Sequence, residues 1–448
     1  MKKKVAFISE HASPLALLGG VDSGGQNVYV AELSKQLVQK GYDVDIYTRK
    51  DNSELEEIVN WQPHIRVIHV IAGPQQTIPK EQLLGYMDEF TMNMLWFIKE
   101  NDINYTLIHA NFFMSALVAS NLKKHLGIPY VVTFHALGLV RKIHQKEADV
   151  FPDERINIEK YVVADADQII AECPQDRDDL IYHYGAQTEK ITIVPCGFNS
   201  KEFHPIDKLK ARKHLNLPED EKIILQLGRM VPRKGVDNVI RAMGRLKDCS
   251  HNLRLVIVGG EADVPDPVLI PEIKRLQKIA AKEGVLDAVT FTGRKERKVL
   301  KYYYAASDLF ITTPWYEPFG ITPLEAMACG IPVIGANVGG IKYSVVDNHT
   351  GFLVPPHDPN ALAQRIDYLL SDERLYAFMQ KNALRRVNKM FTWSKVAEGI
   401  HHLYEKVLSG LRKKVAEQER ILPLENFTLR SFEQLIQESV YPNLKIQQ

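Results

Sequence analysis

Along residues 1–200, short runs of apolar and β-branched residues alternate with longer stretches in which apolar positions recur every three to four residues. The runs at 5–9, 43–48, 64–70, 107–110 and 129–134 read as strands, and 27–40, 80–101 and 114–125 as helices. The strands are continuously apolar rather than alternating, which marks a parallel sheet covered on both faces. Gly41, directly after Gln39 and Lys40, is a helix stop set just before a strand.

The pattern restarts after a turn-rich passage at 195–205. Strands are expected at 222–227, 254–258, 289–292, 309–312, 332–334 and 351–354, with helices at 236–247 and 272–283 and another opening at Pro323. From about 358 the chain is helical by period, through 395–408, a charged run at 412–420 that reads as a solvated helix face, and 427–440. No repeat of fixed period below domain size is present. The expected fold is therefore α/β, with two Rossmann-like doubly wound domains, 1–200 and 201–394, facing across a cleft. Residues 395–448 are expected as helices that cross back to, or pack on, the N-terminal domain. Ligands of such sheets bind outside the carboxyl ends of the strands.

Composition narrows the function classes. The 448 residues, 45% hydrophobic and 25% charged, suit two globular domains. Lysine plus arginine (56) nearly equals aspartate plus glutamate (55), so no global basic field favours nucleic acid, and an anionic ligand must be held by local groups. Cys173, Cys196, Cys249 and Cys329 lie far apart, which fits neither a zinc site nor a dense disulfide framework and points to a reducing, cytoplasmic setting. The first apolar run is too short for a signal sequence before Glu10 and His11 interrupt it, and no stretch approaches the roughly 18 apolar residues of a transmembrane segment. The expected partners are small-molecule substrates, and a homodimer is left open.

Four constellations carry candidate chemistry. The first is the glycine-rich loop Gly19-Gly-Val-Asp-Ser-Gly-Gly-Gln-Asn, which follows the first strand and opens a helix, so that its amides can face a phosphate. It lacks the G-x-G-x-x-G spacing of dinucleotide binding, and a tight turn explains such a loop equally well. In the second domain, Arg229 and Lys234 follow a strand's carboxyl end, where a fork donor and a point charge can clamp a diphosphate. The sharpest signal is Glu317-Pro-Phe-Gly-Ile-Thr-Pro-Leu-Glu325, two carboxylates flanking a glycine turn at a helix start. Helix capping accounts for one of these glutamates but not for both. His135 ends a strand at the cleft mouth, placed to hydrogen-bond a ligand, while His109 at the previous strand end reads as structural.

Taken together, these motifs resemble glycosyltransferase family 4, over nearly the whole chain to about residue 410. The resemblance implies the GT-B fold, retention of anomeric configuration, a nucleotide diphosphate sugar, most simply a uridine one, as co-substrate, and no tightly bound cofactor or metal. It implies that His135, Glu317, Arg229 and Lys234 serve catalysis. Gly24, Gly25, Gly260, Arg294, Phe319, Gly320, Ile321, Thr322 and Glu325 would join Arg229 and Lys234 in binding the donor, with Glu325 on the ribose and backbone near Arg294 on the base. Within the family, the opening stretch is similar to the branch that glycosylates inositol phosphate in mycothiol synthesis, which places Lys80 and Arg155, with Gln26 and Asn27, at the acceptor. Phe112 and Ala136 depart from that branch, which has tyrosine and threonine there, so two acceptor hydrogen bonds are missing. The stretch His135-Ala-Leu-Gly138 with Arg141 and Lys142 is also similar to the sucrose-phosphate and sucrose synthase branch. The rival classes are a GT-B epimerase, which needs paired carboxylates on both faces of the sugar, and a non-catalytic nucleotide-sugar sensor, which has no need of the groups that stabilise a departing phosphate.

Overall fold

The computed structural model describes residues 3–16, 24–247, 250–260 and 262–421, the last nine by backbone alone. Gly19, Gly20, Cys249 and the expected helix at 427–440 lie outside them. The chain divides into two compact units, Met1–Leu403, which holds both sheets, and Tyr404–Gln448.

The first sheet contains β1 (Lys3–Ile8), β2 (Tyr42–Arg49), β3 (Ile58–Gln62), β4 (Ile65–Val70), β5 (Leu107–Asn111), β6 (Tyr130–Thr133), β7 (Gln168–Ala171) and β8 (Ile191–Ile193). Their order is β3-β4-β2-β1-β5-β6-β7-β8, parallel except for β3 against β4. The second sheet contains β9 (Lys222–Leu227), β10 (Leu253–Val258), β11 (Val289–Phe291), β12 (Leu309–Thr312), β13 (Val333–Ala336) and β14 (Gly351–Val354), in the order β11-β10-β9-β12-β13-β14 and all parallel. The apolar runs behave as their composition requires. Val5 to Ile8 and all of β5, β6, β7, β12 and β13 are buried, because helices cover both faces.

Each sheet reverses direction once. In the first, the chain winds outward from β1 to β2 on one side and from β5 on the other; in the second, β9 and β12 play these parts. Loops leaving the carboxyl ends of such neighbours diverge and leave a crevice between them. The loops after β1, β5 and β6 carry His11, Phe112 and His135, and those after β9 and β12 carry Arg229 and Glu317.

Two local expectations are corrected. The expected helix 80–101 begins instead as two 3₁₀ turns, Lys80–Gln82 and Leu84–Tyr86, and becomes α-helical over Met87–Glu100. Gly85 interrupts the apolar period there, and the Tyr86 ring packs under Gly73, where a Cβ would come within 2.4 Å of it. The edge strand β3 was not expected. It is only partly buried, pairs through a bulge between Asn60 and Gln62, and is joined to β4 by His64 at φ +67°.

The chain passes between the sheets twice, and the two passages touch. The Phe198 amide donates to Phe391 O (2.8 Å), and the Trp393 amide donates back to Phe198 O (3.2 Å). Trp393 is 2% exposed, lies edge-on to Tyr29 at 5.7 Å, and leaves so little room that a Cβ on Gly197 would come within 2.9 Å of it. Beyond it, His401 Nδ1 sits 2.8 Å from the Tyr42 hydroxyl on β2. Trp393→Ala is expected to cost about 3–5 kcal/mol, the usual range for a buried aromatic ring. Denaturant unfolding followed by circular dichroism measures it, and a loss within error of zero would remove Trp393 as a fastening point.

Candidate active site

The carboxyl edges of the two sheets enclose a cleft of about 340 Å³, large enough for a small organic ligand. Its second-sheet wall is built on close backbone approaches. A Cβ on Gly259 (φ +128°) would lie 2.0 Å from Gly228 O, and one on Gly235 (φ +67°) 2.0 Å from Thr313 O. These glycines let β9, β10 and β12 end side by side. The 3₁₀ turn Pro232–Lys234 then aims Lys234 at Glu317, with which it forms a direct ion pair. The peptide of Glu317 is itself gripped, since Gly340 N donates to Glu317 O (3.2 Å) and Pro318 O (3.1 Å), and a Cβ on Gly339 would collide with Glu317 O.

Burial shapes the charges here. It lowers Lys234 to about 8, with Arg233 and Arg229 adding to the effect and Glu317 only partly opposing it. Burial alone would raise Glu317, but Lys234, Arg233 and Arg229 together hold its carboxyl below the usual range. The wall therefore presents an ionised carboxylate beside an ammonium that gives up its proton easily.

Glu325, 2% exposed, opens the short helix Thr322–Ala328 below the turn Phe319–Thr322. Its Oε2 accepts from the Tyr304 hydroxyl (2.8 Å) and its Oε1 lies 3.1 Å from Arg297, which also binds Glu202 (2.8 Å) in the passage between the sheets. Burial raises the Glu325 carboxyl, with Arg297 and Tyr304 pulling the other way. Arg294 lines the same wall, but its amide is already spent on Ala262 O (2.8 Å) and its side chain on Asp263 (3.0 Å). Gly260 lines the same wall at φ +111°.

On the first-sheet side, the expected turn role of Gly24 and Gly25 needs correction. Gly24 has φ −169°, which any residue adopts, and a Cβ there would meet nothing within 4 Å. At Gly25 the nearest atom would be Ile321 Cδ1 from the opposite wall, at 3.8 Å. Neither backbone nor packing demands glycine, so its effect is to keep the cleft mouth clear. Asn27 locks the turn by accepting from Gly24 N and donating to Ser13 O (both 2.9 Å), and Gln26 donates to Ser9 Oγ (3.1 Å) and Asn111 O (3.2 Å).

His135 has its Nδ1 3.0 Å from Glu172 and its Nε2 3.1 Å from Asn111 Oδ1, with Tyr29 edge-on at 4.8 Å. His135 (φ +58°) and Phe112 (φ +89°) are both non-glycine residues in the left-handed half of backbone space, and both line the cleft. His109 is fully buried against Thr133 (2.9 Å), and burial holds its ring neutral by lowering it to about 3, in line with a structural part.

All the expected site residues line this cleft except Arg155. That side chain is 1% exposed, paired with Glu159 (2.8 Å), donating to Ala136 O (2.5 Å) and packed on Phe112, Phe113 and Phe151. It supports the wall from behind. Sequence reasoning missed Gly339, Gly340, Arg297, Glu172 and Tyr316. The Gly339-Gly340 pair is a local signal; the other three depend on contacts far away in sequence.

The family model for glycosyltransferase family 4 matches residues 23–202, and that for glycosyl transferases group 1 matches 207–386. A D-inositol 3-phosphate glycosyltransferase of Acidothermus cellulolyticus is 35% identical over 93% of both chains. This chain belongs to glycosyltransferase family 4. The sucrose-phosphate synthase of Thermosynechococcus elongatus is 34% identical to this family 4 enzyme and superposes with a TM-score of 0.83 over 91% of this chain and 100% of its own. Anabaena HepE, 21% identical, shares the two-sheet GT-B architecture at a TM-score of 0.71 over 90% of this chain and 100% of its own.

If this family 4 enzyme needs the Lys234 ammonium, its kcat/KM for donor falls as pH rises through about 8, because the charged form is lost there. A bound diphosphate raises that pKa, so the matching limb in kcat lies at higher pH. Lys234→Arg, which stays charged, abolishes the limb. A wild-type kcat/KM profile flat through pH 8 would remove Lys234 from charge stabilisation.

Proposed function

We propose that this enzyme transfers a glycosyl group from a nucleotide diphosphate sugar, a uridine one, to a hydroxyl of a small phosphorylated acceptor with retention of configuration. The Lys234–Glu317 pair carries the reading, since it stands at the sheet switch point in the same cleft as His135 and the cleared glycine mouth. The diphosphate lies against Arg229 and Lys234, which meet the charge that grows as the anomeric carbon leaves the phosphate oxygen. Once Lys234 turns to the phosphate, Glu317 is released to accept from the sugar's hydroxyls, and Glu325 accepts from the ribose. The acceptor oxygen bonds to the anomeric carbon on the departing side, and its proton passes to the leaving phosphate oxygen. Positioning and charge do the catalytic work, and no step is assigned to a divalent metal.

A phosphorylated acceptor is supported by Lys80 on the first-sheet wall and by the names of both close relatives, each of which contains a sugar or inositol phosphate. Phe112 and Ala136 line the wall without hydroxyls, so the acceptor is not gripped in the inositol-phosphate branch's manner, and a hexose phosphate stands beside inositol phosphate as substrate. Free, buried thiols at Cys173, Cys196 and Cys329 suit a reducing cytoplasm, where we place the reaction.

Incubating uridine and other nucleotide sugars with D-inositol 3-phosphate, hexose phosphates and their free counterparts, read by product mass and anomeric NMR coupling, tests the proposal. Products are expected with phosphorylated acceptors and retained configuration; inversion, or no transfer with any pair, would refute it. Lys234→Ala and Glu317→Ala are each expected to lower kcat about a hundredfold. Lys80→Ala should raise KM for phosphorylated acceptors while leaving that for neutral ones unmoved, and an equal effect on both would reject its phosphate role.

A further inference from the structure

Tyr316 precedes Glu317 in the loop after β12, yet its ring belongs to the apolar core of the first sheet. It is 8% exposed, stacks nearly parallel (7°) on His144 at 5.4 Å, and lies 6.0 Å from the Arg233 guanidinium. Its hydroxyl is buried and has no hydrogen-bond partner among the described residues, although the side chain lines the cleft. Burying a hydroxyl unpaired is unfavourable and uncommon in folded proteins, so an unmet donor in a ligand cleft points to a ligand.

The neighbourhood says which kind. Arg141, also on the cleft wall, holds its guanidinium 4.9 Å from the Phe151 ring, and Arg155 lies 4.4 Å from the same ring with its Nη1 likewise buried and unpartnered. Arg233 completes a set of three guanidiniums whose charge is felt at Tyr316 and outweighs the opposing Glu317, although Arg141 is paired with Asp149 (3.0 Å) and Arg155 with Glu159 (2.8 Å). A phenol in that field donates well to an anionic oxygen and serves a cation poorly. The first-sheet wall meanwhile offers the apolar Phe112 and Ala136.

We infer that Tyr316 is an acceptor-specificity residue supplied by the donor-binding half, whose hydroxyl donates to an anionic phosphate oxygen of the acceptor. This rests on the proposed transfer to a phosphorylated acceptor and adds the residue that selects it. Acceptor recognition then requires both halves, because the selecting hydroxyl comes from the loop after β12 and the Lys80 ammonium from the first half.

Tyr316→Phe keeps the ring and its stack on His144 while deleting the donor. Calorimetry on the full chain, saturated with UDP, gives dissociation constants for D-inositol 3-phosphate and fructose 6-phosphate, with free inositol and fructose as controls. The variant is expected to bind its preferred phosphorylated ligand about tenfold or more weakly, the loss typical of a charge-assisted hydrogen bond, with UDP affinity and the weak binding of neutral ligands unchanged. Equal phosphate affinity in variant and wild type overturns the inference, as does a parallel fall in UDP affinity, which would make Tyr316 a packing residue. Wild-type protein that binds UDP but neither phosphorylated ligand overturns it too. Failure to bind UDP sinks the donor reading instead, and the same phosphate comparison without nucleotide still decides for or against Tyr316.

Discussion

An ammonium and a carboxylate, half-buried in contact with each other at the head of the second sheet, set the terms for everything around them. Removing either charge from water is costly, and their attraction repays this only while they stay in contact. Lys234 and Glu317 can therefore separate cheaply only when something else satisfies each of them. In the proposed transfer, a diphosphate on one side and sugar hydroxyls on the other would meet that condition. The surrounding glycines follow from it. Gly235 lets Lys234 come under Thr313, and Gly339 and Gly340 hold the Glu317 peptide from the other side, so that neither charge has backbone slack in which to escape its partner.

The first sheet contributes space and shape as well as charged groups such as Lys80 and Arg141. Gly24 and Gly25 leave the mouth open, and Phe112 and His135 adopt backbone conformations that cost energy and face the cleft. Glu172 and Asn111 fix the two ring nitrogens of His135. Its imidazole is thus oriented before any ligand arrives, at the expense of local stability.

Much of this was legible in the chain because parallel strands buried on both faces read as unbroken apolar runs, and the residues after them must then sit at one edge. Arg229, Lys234, Glu317 and His135 were found that way. The half-exposed edge strand β3, the three- and four-residue strands β7 and β8, and the helices between residues 138 and 184 carry weaker periods and went unread. Arg155 was assigned to the acceptor by resemblance alone, and only the fold shows that Glu159 and three aromatic rings take its side chain inside. Tyr316 and Arg297 act through partners more than 90 positions away, His144 and Glu202, which no local pattern encodes.

The adjoining passages at Phe198 and Trp393 bear on how the halves can move. A single tether would leave one half free to swivel in any direction about the other. Two tethers laced side by side by backbone hydrogen bonds behave like a door's paired hinges, permitting swing about one line and resisting twist. Any swing about that line would open the contacts of Cys173 with Pro318 O and of Lys342 with Gln175, which join the halves on the far side of the hinge line, and would restore them in the same register on closing.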